Sequence, residues 1–427
     1  MATTFSSHKA HHPSPPPSHF RSAVFPSPRA PLSLVDVEYR PPTKGCLTLQ
    51  VDACFLSQND RIAACGLRND HDHFPVSPGQ AVLGRVVEVG QGAREGGAMT
   101  ASGMVSSLLG KLNLGGSAMA GDVKHDGGGG ELHHKFKPGE TVIASVTHQG
   151  LGEYCTAHGV STCDVVDSMP LVEQAVVAVF GGRVLAVWDR FKWDAERKTD
   201  DEREALRSMC SSHSVGGAGE GKGCSGGGVV VVWGSGGHAS LGYHLLRAAA
   251  GPTQHVVVVS PSPHHTHRDY GIPAGDFFQV GKCNLDVELR KLGGVELAVC
   301  VDQPGATEGF GELLDAVCPG GEVSLVSIGS SGKGELELPV GPFLSRSLTL
   351  RGLPALHAST MHRALALCAK HDLHRHVSVR KHAFGVDGVR ECWDRTLEPQ
   401  EGFDAHCVVF GEGEGEGVGG IGVGAAM

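Results

Sequence analysis

The stretch Val229-Val-Val-Val-Trp-Gly-Ser-Gly-Gly-His-Ala-Ser-Leu-Gly-Tyr-His-Leu-Leu-Arg-Ala-Ala-Ala250 is followed, after Gly251-Pro-Thr-Gln254, by His255-Val-Val-Val-Val-Ser260. Valine-rich runs of this length, bounded by glycine, read as strands buried on both faces. The segment Tyr243–Ala250 reads as a helix. The order is therefore strand, tight turn, helix, strand. Within the turn, Gly234, Gly236 and Ala239 fit the pattern G-x-G-x-x-G/A. Such a turn brings backbone close to a pyrophosphate and sets the phosphate on a helix N-terminus. With 62 glycines in the chain the pattern alone says little. Placed between two strands and opening a helix, it points to dinucleotide binding through Gly234, Ser235, Gly236, Gly237, His238 and Ala239.

Working outward, alternating strands and helices continue to about Gly341, with candidate strands at Val229–Trp233, Val256–Ser260, Leu297–Val301, Glu322–Ile328 and Ser347–Gly352. That alternation implies a doubly wound parallel sheet. Upstream, from Phe20 to about Val89, the pattern changes to short strands and turns. Cys46-Leu-Thr-Leu-Gln-Val-Asp52 has period two, and Ala81–Val89 is extended and apolar. Leu171 to about Phe191 is apolar enough for a buried helix. Two stretches break the order. Gly90–Lys135 is rich in Gly, Ala, Ser and Met, and Lys192–Gly228 is polar, charged and glycine-rich. Both read as insertions (90–135 and 192–228), the second with a surface helix over Asp194–Met209. The ends, 1–19 and 411–427, read as disordered tails. The division is a β-rich domain over 20–180, a dinucleotide domain over 181–345 and a return to the first domain over 346–410.

Composition excludes several classes. A formal net charge of −10 and the absence of a basic stripe with interleaved aromatics exclude a nucleic-acid partner. No run of about 18 apolar residues exists, so no membrane span is expected. The first residues lack an apolar core and do not resemble a secretory signal. The thirteen cysteines are scattered with no C-x-x-C, which reads as reduced thiols in an intracellular, cytoplasmic protein.

The order of motifs resembles the medium-chain dehydrogenase/reductase superfamily: the zinc-type alcohol dehydrogenases, quinone oxidoreductases and enoyl reductases. The carriers are Val51-Asp-Ala-Cys-Phe-Leu-Ser-Gln-Asn-Asp60, Pro78-Gly-Gln-Ala-Val-Leu-Gly-Arg-Val-Val-Glu-Val-Gly90 and Phe136-Lys-Pro-Gly-Glu-Thr-Val142. Gly150-Leu-Gly-Glu-Tyr154, the glycine loop and Pro319-Gly-Gly-Glu-Val-Ser-Leu-Val326 complete the set. The resemblance implies an α/β protein with a GroES-like β-rich catalytic domain and a doubly wound parallel Rossmann domain. It also implies hydride transfer with a nicotinamide cofactor, and members are commonly homodimers.

The resemblance also says where zinc ligands belong. The three catalytic places fall at Ser57, Gln80 and near Phe180, and the structural-zinc lobe falls in 90–135, which has no cysteine. Catalytic zinc takes three Cys, His or carboxylate ligands and keeps one open position. Serine, glutamine and phenylalanine do not supply them, so no metal is expected at either site. Cys54 and Cys65 lie nearby, but Cys54 matches a place that is not a ligand. Asn69-Asp-His-Asp-His73 and the pairs His133-His134 and His264-His265 read as solvated loops. Without a Lewis acid, hydride transfer favours a conjugated carbonyl, whose enolate is stabilised by resonance. Ser57, Gln80 and Asp60 are the catalytic candidates, with Ser57 and Gln80 able to orient a carbonyl or a water, and Asp60 reading as a buried structural carboxylate. Tyr154 reads as a core tyrosine rather than a proton donor.

For the cofactor, Ser260 stands where a carboxylate would select the ribose of NAD(H). The loop Pro261-Ser-Pro-His-His-Thr-His-Arg268 offers Ser262 and Arg268 to a phosphate, which favours NADP(H). Asp302, Ser327, Ile328 and Gly329 sit at strand ends on the same edge. The expected activity is NADP(H)-dependent, zinc-independent reduction of an activated C=C, enone or quinone, free or on a carrier. The alternatives are an alcohol or aldehyde dehydrogenase, or a cofactor-binding protein without turnover.

Overall fold

The computed structural model describes residues 16–57, 59–60, 64–65, 74–91, 136–146, 150–197, 228–252, 254–301, 309–326, 340–353, 356–397 and 404–411. Most of both insertions, both tails, Asn69–His73, His133-His134, Asp302 and Ser327–Gly329 lie outside these residues. The chain opens with an antiparallel pair, β1 (His19–Val24) and β2 (Ser33–Glu38). It continues through β3 (Cys46–Phe55), β4 (Ala81–Val89), β5 (Thr141–Ser145), β6 (Tyr154–His158) and β7 (Thr162–Asp164). Next come α1 (Leu171–Val176), a π turn over Val177–Gly181 and α2 (Gly182–Arg197). The helix therefore runs to Arg197, beyond Lys192, where the sequence reading began an insertion. Its buried Val187 and Trp188 and the ring contact of Trp188 with Phe191 hold this end down.

The run Leu171–Arg197 is also long and apolar enough to cross a membrane, which corrects the sequence reading that no such run exists. However, 78% of its most apolar window is buried inside the protein. Its apolar surface is spent on the core. Gly181 and Gly182 let neighbouring elements come close: a Cβ on Gly181 would stand 2.5 Å from Leu245 Cδ1, and one on Gly182 3.1 Å from Leu356 Cδ1.

The second half holds β8 (Val229–Trp233), α3 (Gly236–Ala250), β9 (His255–Ser260), β10 (Phe277–Gln279), α4 (Leu285–Lys291), β11 (Val295–Cys300), α5 (Gly309–Ala316), β12 (Val317–Leu325), α6 (Val340–Arg346) and β13 (Thr349–Arg351). The strands form one parallel sheet in the order β10-β9-β8-β11-β12-β13. Every residue of β8 is buried, as a strand covered on both faces requires. Its two faces feed separate clusters, Val229, Val231 and Trp233 on one side and Val230 and Val232 on the other. Asn284 caps α4 by accepting from the Val287 amide at 3.1 Å. Gly251, at φ 75°, ends α3. β10, three residues long, carries too little pattern to be read from sequence.

The chain then returns through α7 (Ala358–Lys370), β14 (Ser378–Ala383), α8 (Val386–Leu397) and β15 (Asp404–Val409). β15 joins β3 antiparallel, giving a mixed sheet ordered β14-β15-β3-β4-β5-β7, with β6 also paired to β3. One core ties the halves together: Phe55, Leu83 and Ile143 of this sheet share a cluster with Leu241 and Leu245 of α3 and Leu365 of α7.

His244 of α3 and His376, just beyond α7, stack at 3.8 Å between ring centroids, and His244 Nε2 donates to the Tyr270 carbonyl at 3.1 Å. Burial first, and His376 second, bring His244 down from its ordinary 6.5 to about 4. The unfolded chain therefore binds a proton over that range and the folded chain does not. Stability contributed by this site falls as pH drops from 6.5 to about 4 and levels off below. His244→Phe is expected to flatten that part of the profile, measured as urea midpoints between about pH 7.5 and about pH 4.5. Parallel profiles for the two proteins would contradict it.

Candidate active site

Parallel strands order their carboxyl ends along one edge, and here the chain reverses direction across the sheet between β8 and β11. Ligands bind at such a switch point. The glycine loop occupies it. Gly236 has φ 65°, a conformation that favours glycine, and α3 starts there. Ser235 is the N-cap residue in extended conformation, and the helix start it precedes is the kind of place where a phosphate binds. Ala239 is fully buried, and a Cβ on Gly242 would touch Val232 Cγ1 at 3.4 Å, so the helix lies close on the sheet. These features fit a bound pyrophosphate.

Beneath the loop lies a residue that sequence reading passed over. Tyr270 is fully buried, and its hydroxyl accepts from the Gly236 amide at 3.2 Å. The same oxygen lies 3.1 Å from Ser260 Oγ and 3.1 Å from His265 Nδ1. Ser240 Oγ donates to the Tyr270 carbonyl at 3.1 Å. The Ser260 side chain is thus turned inward, and its oxygen also accepts from the Ser262 amide at 3.3 Å. His265 is buried, not solvated as its sequence suggests, because it packs against Tyr270. His264 is exposed, as is Arg268. Asp269 is committed to its own loop, accepting from the Thr266 amide at 2.7 Å and hydroxyl at 2.9 Å, and those bonds hold its carboxyl below the ordinary range.

On the mixed sheet, Ser57 and Asp60 meet beyond the end of β3, and Gln80 stands next to Gly79 at the start of β4. Asp60 is buried; one carboxylate oxygen accepts from the Ser57 amide at 2.7 Å and hydroxyl at 3.1 Å, and the other from the Gly79 amide at 2.7 Å. Burial pushes the Asp60 carboxyl up, while those donors and the positive charge of Arg183 pull it back. Gly79 has φ +107°, and a Cβ there would meet Cys54 Sγ at 2.3 Å, so the turn that aims this amide at Asp60 accepts only glycine. Cys54 fills the space behind it, with burial pushing its thiol well above the ordinary range. Tyr154 lies elsewhere, edge-on to Phe20 and Tyr39.

Gln80 leads to the second residue the sequence reading missed. Its Oε1 accepts from the Arg183 guanidinium at 2.6 Å. Arg183, buried in the first turn of α2, also lies over the Phe180 ring at 5.4 Å. Phe180 in turn meets His238 of the glycine loop, ring centroids 4.8 Å apart. The three places where the resemblance puts zinc ligands thus hold a hydroxyl donating to Asp60, an amide oxygen holding a guanidinium, and a phenyl ring. This donor set does not fit zinc. Among the described residues no group of three His, Cys, Asp or Glu side chains is arranged to hold a metal. The signal for Arg183 was a cation in the middle of the apolar run Leu171–Phe191.

The fold so assembled, a mixed β-rich sheet beside a doubly wound parallel sheet, is similar to that of solved dehydrogenases and quinone oxidoreductases. No family model matches the chain. It is 23% identical over 399 residues to alcohol dehydrogenase patD of Penicillium expansum, spanning 91% of this chain and 97% of that protein. Among solved structures it is similar to a cinnamyl alcohol dehydrogenase of Sorghum bicolor, with a TM-score of 0.58 and 16% identity over 92% of this chain and 97% of that one. It is also similar to a quinone oxidoreductase of Pseudomonas syringae, at 0.57 and 15% over 91% and 99%. A mycobacterial protein solved in complex with NADPH matches at 0.56 and 18%, over 92% and 99%.

Tyr270→Phe removes the oxygen that Gly236, Ser260 and His265 share. The expected loss is roughly 1–3 kcal/mol of stability in denaturant titration, because polar groups are left buried around an apolar ring. A variant as stable as the parent would show that this contact carries no such weight.

Proposed function

We propose that the protein is an NADP(H)-dependent oxidoreductase that works without zinc and reduces an activated C=C, an enone or a quinone. The observation that carries this reading is the pairing of a glycine loop suited to a dinucleotide with an opposing wall whose ligand places are Ser57, Gln80 and Phe180. A nicotinamide cofactor, when bound, supplies hydride. In this reading the pyrophosphate meets the backbone of Gly237, His238 and Ala239, while the Gly236 amide is held by the Tyr270 hydroxyl. Asp302, Ser327, Ile328 and Gly329, expected from the sequence to contact the cofactor, lie outside the described residues. The catalytic-domain wall positions the acceptor and excludes water, which strengthens every electrostatic contact in the cleft.

Preference for NADP(H) rests on the loop after β9. No carboxylate ends β9, Asp269 is held by Thr266, and Ser262 and Arg268 are available to a phosphate. A guanidinium is the side chain best matched to a phosphate dianion. The name of the Penicillium expansum relative favours a second reading, alcohol or aldehyde dehydrogenation. Acceptor identity separates the two.

The test is NADPH oxidation against a panel of enones, quinones and aldehydes, with NADH as control. Turnover with enones or quinones supports the proposal. Turnover with aldehydes alone favours the second reading, and NADPH binding without turnover on any acceptor rejects both. Arg268→Ala is expected to weaken NADPH binding roughly tenfold, read by cofactor fluorescence, and to leave NADH within about twofold. Equal losses for both cofactors would contradict the role given to Arg268.

A further inference from the structure

One hydroxyl oxygen joins the two parts of the dinucleotide site. Tyr270 is fully buried, and a phenol has one donor and two acceptor positions. The Gly236 amide donates to it at 3.2 Å, which ties it to the glycine loop. Ser260 Oγ and His265 Nδ1, each 3.1 Å away, share the remaining donor and acceptor. Ser260 ends β9, and its oxygen also accepts from the Ser262 amide at 3.3 Å, while Gln279 of β10 donates to the Ser262 carbonyl at 2.7 Å. The bond between His265 and Tyr270 closes a short ring of chain around Thr266-His267-Arg268-Asp269. Within that ring Asp269 accepts from the Thr266 amide and hydroxyl, and the Gly271 amide donates to the Arg268 carbonyl at 3.0 Å. Arg268 is therefore exposed on a turn whose backbone is held at both ends. The Tyr270 carbonyl accepts from Ser240 Oγ at 3.1 Å, which fixes the same residue to α3.

We infer that Tyr270 is a positioning residue for cofactor choice, acting through its hydroxyl to hold the Arg268 turn in register with the glycine loop. The inference rests on the NADP(H) reading above and adds what makes Arg268 selective. In NADP(H) the 2′-phosphate and the pyrophosphate hang on one ribose, so the distance between the two anions varies little. A protein that reads both does best when its two binding surfaces already stand at that distance, because ordering a loop during binding costs affinity. Here the two surfaces share a single atom as their common anchor. A phenyl ring in its place would fill the same space and cut both ties. NADH lacks the 2′-phosphate, so its affinity depends on the glycine loop and little on the Arg268 turn. Ser260 has a matching part: its hydroxyl faces Tyr270 and fixes the turn after β9, instead of meeting the ribose.

The test is calorimetric titration of the full chain with NADPH and with NADH. The wild type is expected to bind NADPH roughly tenfold or more tightly than NADH. Tyr270→Phe is expected to weaken NADPH roughly tenfold beyond any loss for NADH, which stays within about threefold, so the preference shrinks. In an Arg268→Ala background the same change is expected to weaken NADPH by no more than about threefold, since no guanidinium is left to position. A merely structural Tyr270 would lower the melting temperature and weaken both cofactors by the same factor, with losses that multiply with those of Arg268→Ala. That result overturns the inference. Should Tyr270→Phe fail to fold, Ser260→Ala and His265→Phe, each of which removes one tie, decide in its place. A smaller NADPH preference in either supports the inference, and an unchanged preference in both overturns it. A wild type that binds the two cofactors equally rejects the NADP(H) reading and the inference with it. A wild-type preference that survives Tyr270→Phe rejects the inference alone.

Discussion

A positive charge that cannot be neutralised by deprotonation, buried between two sheets, sets the terms for the rest of the cleft. The Arg183 guanidinium needs an acceptor, a flat neighbour and a negative field, and each comes from a different element. Gln80 is fixed at the start of β4 by its amide bond to the Phe55 carbonyl and by the Val146 amide bonded to its own carbonyl. Phe180 is delivered by the π turn that separates α1 from α2, a helix irregularity that often marks functional positions. Asp60 lies buried near the guanidinium, its carboxyl pushed up by burial and drawn back in part by the Gly79 and Ser57 donors and by Arg183. Remove the charge, and the polar groups around it have little reason to be buried there.

The long helix and the tyrosine under the glycine loop make this arrangement rigid. Gly181 and Gly182 let α3 and the segment around Leu356 approach without a side chain between them, so the mixed sheet, α3 and α7 share one core. Tyr270 ties the loop to Ser260 and His265 from below. A cleft assembled from such fixed parts can align two reactants before either arrives, which is where much of a bimolecular barrier can be removed.

Much of the fold was legible because burial on both sides writes a plain code. β8 and β9 are nearly unbroken valine, and the glycines between them sit where the backbone turns, so strand, loop and helix could be named in order. The ligand places were named by comparison of motifs; Ser57 bonds Asp60, while Gln80 bonds Arg183. Arg183 was not, since it lies two residues beyond a π irregularity that no periodicity reports, and its partner Gln80 is on another element. Tyr270 was hidden for a related reason: its three polar neighbours are brought to it by loop closure and not by spacing. His265 read as solvated because its sequence neighbours are polar, yet Tyr270 draws it inside.

The measurement closest to the central claim is elemental analysis of purified, catalytically active protein before and after exhaustive chelation. The account predicts far less than one zinc per chain and NADPH oxidation undiminished by the chelator. One zinc per chain, with activity lost on its removal and restored on its return, would contradict it.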